Sequence, residues 1–256
     1  MIQMKRVAVV SGTTSGLGRQ YIQTLVTEYP DIDELWMIAR RKDRLAEIEA
    51  AYPDMNFRSI PLDLSLDDSY ALLAQILADE KPHITALINN AGVAFNGNVR
   101  DVPLAYLIAM CNLNVKGTTA LTRVCLPYMQ SGGYILNVSS ASSFAPNPHM
   151  DVYSATKAYI TSFSLGLREE LKDQNINVCT ALPGRMKTEM DEKLNTGKRE
   201  GLFNLVPSLD VGLFANRTVR AAVAGKASYT MNWFYKTYRV VAKLLPATLI
   251  VHFSNI

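Results

Sequence analysis

Short β-rich runs alternate with stretches of helical periodicity along the chain, and this alternation narrows the fold more than any other feature. Strand candidates are Arg6–Ser11, Leu35–Ala39, Phe57–Leu62, Ala86–Asn89, Tyr134–Val138, Asn177–Leu182 and a last one at Ala227–Met231. Amphipathic stretches lie between them, at Leu17–Glu28, Asp43–Ala51, Asp67–Glu80, Leu104–Met129 and Val152–Lys172. Such an order implies parallel strands joined by right-handed helical crossovers. Nearly continuous apolar strands such as Val7–Val10 suit a sheet covered on both faces. The 256 residues are enough for one large core, and no Pro/Gly/Ser-rich linker, repeat or low-complexity segment divides them. The expectation is therefore a single α/β domain over residues 1–256. It would be doubly wound, with a central parallel sheet of about seven strands and helices on both faces, and with residues 232–256 as a C-terminal amphipathic extension.

Several function classes drop out on composition. A formal charge of +3 without any lysine- or arginine-rich block argues against nucleic acid as a partner. Cys111, Cys125 and Cys179 are odd in number, widely spaced and set among apolar neighbours, and so read as reduced core residues. His83, His149 and His252 lack ligand spacing, so no metal is expected. Met1 leads directly into an apolar strand, which is read as leaving no room for a signal peptide, and no apolar run reaches bilayer-spanning length. A cytoplasmic location is expected.

Strand one delivers Ser11-Gly12-Thr13-Thr14-Ser15-Gly16-Leu17-Gly18, after which a helix begins. Glycines at 12, 16 and 18 let the backbone turn sharply and approach a pyrophosphate. The helix start offers unpaired N–H groups to that anion. The spacing is G-x-x-x-G-x-G, which departs from the general G-x-G-x-x-G dinucleotide fingerprint. At the end of strand two, where an NAD site commonly carries an acidic residue, the chain reads Ile38-Ala39-Arg40-Arg41-Lys42. Arg40 and Arg41 suit a 2′-phosphate, so NADP (NADPH) is favoured over NAD. The alternatives are that both arginines merely start the next helix, or that Asp43 serves the ribose. Asp63-Leu64 follows strand three, where a carboxylate could accept from the adenine amino group. Asn89-Asn90-Ala91-Gly92 follows strand four, with small residues where backbone passes the cofactor ribose. Both lie at carboxyl ends of strands, where open α/β sheets bind ligands.

Tyr153-Ser-Ala-Thr-Lys157 sets a phenol and an ammonium one helical turn apart on one face. A free tyrosine keeps its proton to roughly pH 10, and a neighbouring ammonium favours the phenolate. Such a pair can exchange a proton with an alcohol or carbonyl.

With these residues assembled, the chain resembles a compact, single-domain member of the short-chain dehydrogenase/reductase family over about residues 5–190. The motifs fall in the family's order: Gly12/Gly16/Gly18, Asp63, Asn89-Asn-Ala-Gly92, Asn114-Val-Lys-Gly117, Ser139-Ser140, Tyr153/Lys157, Pro183-Gly184 and Thr188. The resemblance implies a Rossmann fold, an NADP(H)-dependent interconversion of a carbonyl and a secondary alcohol, and a homodimer or homotetramer. It implies that Tyr153 exchanges the proton, Ser140 steadies the substrate oxygen, and Lys157 holds the nicotinamide ribose and shifts Tyr153. Asn114 would hold a water linking Lys157 to solvent, while Pro183, Gly184, Met186 and Thr188 would cradle the nicotinamide side. Spacing to Tyr153 prefers Ser140 to Ser139, Ser142 and Ser143. The glycine three residues on prefers Asn114 to Asn112. Ser11 stands where the family usually has threonine.

Two regions escape the motifs. Phe144, Pro146, Met150, Met186, Met190, Leu202 and Phe203 suggest an apolar pocket for a steroid- or acyl-like ketone, with 186–207 as a lid; ordinary core is the alternative. Beyond Asn232, Phe234, Tyr238, Val241 and Leu245 recur on one helical face, and Lys236, Arg239 and Lys243 on another. That helix would pack over the cleft or against a partner subunit, or lie on a membrane surface. A non-catalytic NADP-sensing protein on the same fold is the alternative function. It has no need of Asn114, Ser140, Tyr153 and Lys157 together.

Overall fold

The computed structural model describes residues 5–194 and 206–254. Seven parallel strands form one sheet in the order β3-β2-β1-β4-β5-β6-β7. They are β1 (Arg6–Ser11), β2 (Glu34–Ile38), β3 (Phe57–Ile60), β4 (His83–Asn89), β5 (Met129–Val138), β6 (Asn177–Ala181) and β7 (Ser228–Tyr229). The helices are α1 (Gly16–Glu28), α2 (Lys42–Ala51), α3 (Asp68–Glu80), α4 (Leu104–Met110), α5 (Thr118–Cys125), α6 (Asp151–Glu170), α7 (Glu189–Leu194), α8 (Val211–Val223), α9 (Trp233–Leu244) and α10 (Ala247–Ser254). Side chains alternate across the strands. Ala8 and Val10 of β1 face a layer built by α1, α2 and α8, through residues such as Tyr21, Leu45 and Phe214. Val7 and Val9 face the opposite layer, with Leu73 and Leu77 of α3, Leu121 of α5 and Leu167 of α6. No helix among the described residues is long and apolar enough to cross a membrane.

Strand order reverses between β1 and β4, and a crevice opens at such a switch point beyond the carboxyl ends of the strands. The glycine-rich turn, Asn90–Gly92 and Ser139–Ser140 all follow strands at that end.

Three expectations change. The stretch read as one helix over Leu104–Met129 is broken: α4 gives way to a π-helical segment at Cys111–Gly117, then α5, then a 3-10 turn at Leu126–Tyr128 with Pro127 in its first turn. Inserted residues of this kind re-aim side chains, and here the segment turns Asn114 inward. β5 begins at Met129 rather than Tyr134, because Ser131-Gly132-Gly133 is a bulge within the strand and not a turn before it. Cys111 is exposed while Cys125 and Cys179 are buried. Of the apolar run before Cys111, Met110 is buried and Leu107 packs half-buried beside it, while Leu104, Tyr106 and Ile108 face outward.

Candidate active site

The crevice floor begins with Ser11. Its hydroxyl accepts from the backbone N–H groups of Asn90 and Ala91, each at 3.1 Å, and so ties the end of β1 to the end of β4. Serine supplies here the hydroxyl that threonine would. Asn90 closes the same corner, its amide donating to the carbonyls of Ser11 and Gly12. Gly12 has φ +69, and Gly18 packs so closely that a Cβ there would lie 2.0 Å from the Gly12 oxygen. These two positions therefore need glycine for different reasons, one conformational and one steric. Thr188 rests against Gly16, with its Cγ2 only 3.2 Å from where a Cβ would stand.

Several observations fit this turn to a phosphate-bearing dinucleotide. Ser15 does not cap α1, and the first turn of that helix carries no acidic side chain, so its N–H groups and positive dipole end are uncompensated. Thr13 is buried with its hydroxyl lacking a hydrogen-bond partner. Thr14 anchors Arg41, whose guanidinium donates to the Thr14 hydroxyl and carbonyl. Arg41 and Arg44 both pair with Glu189 at the start of α7, and the arginines hold that carboxyl below its usual range. The Glu189 carboxylate thus stands as an anion between two guanidinium groups beside the glycine turn. Neither Arg44 nor Glu189 was legible as part of the site, because nothing in the sequence links residue 189 to residues 41 and 44.

Arg40 is more open, and its guanidinium lies 3.5 Å from the Asp63 carboxylate. Burial raises the Asp63 pKa, but hydrogen bonds from Ser65 and the charge of Arg40 outweigh it, so the carboxyl sits below its ordinary value. Leu64 beside it is buried, and its carbonyl accepts from the Tyr70 hydroxyl.

The four polar residues expected to act together do converge. Asn114, Ser140, Tyr153 and Lys157 are all buried. Ser140 precedes a short 3-10 turn and accepts from the Ser142 N–H at 3.1 Å, which fixes its hydroxyl at the head of that turn. The Ser140 hydroxyl is near enough to the Tyr153 phenol to favour its ionised form. The rival Ser139 instead donates into α6, to the Lys157 carbonyl at 2.7 Å. Lys157 donates to the Val138 carbonyl at 2.9 Å, and its ammonium lies 5.6 Å from the centre of the Tyr153 ring. Asn114 grips the loop after β4 as a peptide would: Val93 N–H donates to its Oδ1 and its Nδ2 donates to the Val93 oxygen, both at 2.9 Å. The same Nδ2 also donates to Thr156, whose hydroxyl donates to the Tyr153 carbonyl. The side-chain amide is therefore engaged with protein atoms, joining the β4 loop to α6.

One electrostatic expectation reverses. The sequence suggests that Lys157 draws the Tyr153 pKa down; in the structure burial pushes it up, and the nearby Ser140 hydroxyl only partly offsets this. Burial also brings Lys157 down, from 10.5 to about 8. Both side chains are thus biased toward their neutral forms by the same apolar surroundings.

Those surroundings have a clear composition. Tyr153 packs in a cluster with Ala94 and Met110, against half-buried Phe95, Met150 and Met190. Phe144 lies under Tyr238 of α9 at 5.6 Å. Tyr235 of α9 covers Gly184, accepting from the Arg185 N–H and donating to the Pro207 carbonyl, each at 2.8 Å. Met186 bridges to Leu209. Leu202 and Phe203 lie outside the described residues, as does half of the segment read as a lid.

Known proteins resemble this chain in sequence and in fold. The sequence pattern described as short chain dehydrogenase matches residues 6–199. An uncharacterized oxidoreductase of Staphylococcus epidermidis is 30% identical over 200 residues, covering 77% of this chain and 85% of its own. Very-long-chain 3-oxoacyl-CoA reductase-B of Danio rerio is 30% identical over 257 residues, covering 95% of this chain and 77% of its own. Among solved structures, a short-chain dehydrogenase from Sphingobium yanoikuyae in complex with NADPH superimposes with a TM-score of 0.79 at 24% identity, covering 98% of this chain and 96% of that one.

Proposed function

We propose that this chain, which belongs to the short-chain dehydrogenase/reductase family, is an NADP(H)-dependent oxidoreductase that interconverts a hydrophobic ketone and its secondary alcohol. The observation that carries the reading is the convergence of buried Ser140, Tyr153 and Lys157 at the sheet's switch point, with the lysine ammonium 5.6 Å from the centre of the tyrosine ring. A protein that only sensed the nucleotide would leave that trio without a purpose.

A dinucleotide held by the glycine turn, Arg41 and Lys157 would supply or accept the hydride. Tyr153 gives its phenolic proton to the carbonyl oxygen in reduction and recovers it in oxidation. Ser140 donates a second hydrogen bond to the same oxygen as negative charge develops there. Lys157, held at the Val138 carbonyl, steadies the phenolate that Tyr153 leaves behind. Asn114 is a positioning residue, fixing Val93 and the first turns of α6 in one geometry.

Preference for NADP is supported by Arg40, Arg41 and Arg44, and by the absence of an acidic side chain at the end of β2. The Sphingobium relative, whose fold this chain shares, holds NADPH. A 2′-phosphate would take the place of the Glu189 carboxylate between Arg41 and Arg44. The double change Arg40→Asp with Arg41→Ala should lower the NADP/NAD ratio of kcat/KM on the order of 100-fold, since hydrogen bonds to charged groups contribute about 1.5–3 kcal/mol each and solvent screens Arg40. An unchanged ratio would remove both arginines from the nucleotide site.

The apolar wall around Tyr153 supports a long or bulky substrate. The Danio relative is a reductase of very-long-chain 3-oxoacyl-CoA. NADPH oxidation should be followed with 3-oxoacyl thioesters of increasing length, steroid ketones and sugars. On one homologous series, kcat/KM should rise about fourfold per methylene until the pocket is filled, from about 0.8 kcal/mol per buried CH₂. Activity confined to sugars would overturn the apolar reading.

A further inference from the structure

α9 is apolar on two faces, and only one of them is covered. The inner face holds Tyr235, buried against Gly184, and Tyr238 against Phe144. The outer face presents Trp233, Val240 and Leu244, which are 75%, 56% and 77% exposed. At about 100° per residue these three fall within roughly 40° of one another, a stripe about 16 Å long. Val241 and Leu245 border the stripe, and Leu249 of α10 continues the exposed apolar surface. Lys236 and Lys243 flank it, and among the described residues neither forms an ion pair. The expected apolar face is covered only in part: Phe234 and Tyr238 are half-buried, Val241 and Leu245 are exposed, and the buried residue of the helix is Tyr235, outside that face.

Charge says what covers the stripe. Residues 211–256 contain Arg217, Arg220, Lys226, Lys236, Arg239 and Lys243 and no aspartate or glutamate. The remaining residues hold 20 basic against 23 acidic side chains, so the positive charge of the chain belongs to its last segment. A second copy docking face to face on α9 would bring the same cations together. An anionic bilayer complements both the lysines and the apolar stripe, and tryptophan favours the interfacial depth. We infer that α9 seats this protein on an anionic lipid surface, lying in the headgroup plane with Trp233, Val240 and Leu244 inserted. The break at Leu245-Pro246 ends the helix after 12 residues, so it lies on the bilayer and does not span it. The inner face of the same helix walls the cleft, so the cleft is held beside the lipid. The seat itself does not depend on which reaction the cleft performs.

Vesicle binding tests this with the 256-residue chain. The two tryptophans report separately, because Trp36 is 1% exposed and Trp233 is 75% exposed. With phosphatidylcholine vesicles containing 30% phosphatidylglycerol, the protein should co-sediment at least about 10-fold more strongly than with phosphatidylcholine alone. Tryptophan emission should shift to the blue, brominated acyl chains should quench it, and 0.5 M salt should reverse most of the binding. The triple change Trp233→Ser, Val240→Ser, Leu244→Ser should remove the binding while leaving NADPH affinity unchanged, as should Lys236→Glu with Lys243→Glu. Equal binding to neutral and anionic vesicles, or none to either, would overturn the inference. So would a triple variant whose mass by light scattering falls to that of a monomer from a larger parent, which would make the stripe a subunit interface.

Discussion

Tyr153→Phe will lower the turnover of NADPH-dependent ketone reduction by about 10³-fold, within the range that loss of a positioned general acid produces, and will leave NADPH binding nearly unchanged. The substitution removes one oxygen from a ring already packed among Ala94, Met110, Met150 and Met190, so its packing survives. What disappears is the proton that the substrate oxygen needs as hydride arrives. Burial pushes the Tyr153 pKa up, so the phenol is fully protonated at neutral pH and is in the state that reduction requires. The same burial makes reprotonation after each turnover favourable. Ser140→Ala should cost less, because it removes a hydrogen-bond donor and not the proton itself; about 10²-fold is expected. The double variant should be little worse than Tyr153→Phe alone, since residues acting on one oxygen are not additive. Steady-state kinetics paired with fluorescence titration of NADPH separates the two roles. A Tyr153→Phe enzyme within about fivefold of the parent would mean that another group, or solvent, supplies the proton.

Much of this site was legible in sequence because its parts lie at strand ends, and the strands announce themselves. Val7–Val10 and Leu35–Ile38 are apolar runs whose alternate residues fill two different layers, so their place in a sheet covered on both sides follows from composition alone. Each motif then sits at a fixed offset from its strand. The converse cases are informative. Asn89 and Asn137 face each other across β4 and β5 at 2.7 Å, and Asn137 continues to Ser164 of α6. This buried polar ladder beneath the crevice depends on strand register, which no local pattern encodes. The π-helical segment was invisible for a related reason: the periodicity of residues 104–129 is satisfied nearly as well by an unbroken helix, and only the tertiary pull of Val93 on Asn114 distinguishes them. The Arg41–Glu189–Arg44 cluster joins segments about 145 residues apart and is set by where α7 lands. Tyr235 is the same kind of case, since an aromatic in a basic amphipathic helix gives no sign that it will cover Gly184.

Lys157→Met is expected to separate stability from activity more sharply than any other single change. Burial lowers the Lys157 pKa from 10.5 in the unfolded chain to about 8 in the folded one. Between those values the unfolded state binds more protons than the folded state, so stability rises with pH across that window. Below about 8 the ammonium is charged in both states and its full desolvation opposes folding; above about 10.5 it is neutral in both and the opposition is gone. A depression of this size corresponds to about 3 kcal/mol at neutral pH. Methionine has a similar length and no charge, and its loss of the charged bond to the Val138 carbonyl returns about 2 kcal/mol. The variant should therefore be more stable by about 1 kcal/mol at pH 7, raising Tm by roughly 2–4 °C for a chain of this size. The advantage should shrink as pH climbs from 8 toward 10, because the parent then sheds the charge that burdens it. Turnover should meanwhile fall by at least about 10²-fold, since Tyr153 loses the cation that steadies its phenolate. In the parent, ketone reduction should decline as pH rises through about 8 for the same reason. Thermal melts of both proteins from pH 6.5 to 9.5, beside kcat measured over the same range, decide the matter. A methionine variant that melts below the parent at pH 7 would mean that the buried ammonium is held by more than the Val138 carbonyl. The fold would then be using this charge for support, and not tolerating it for chemistry.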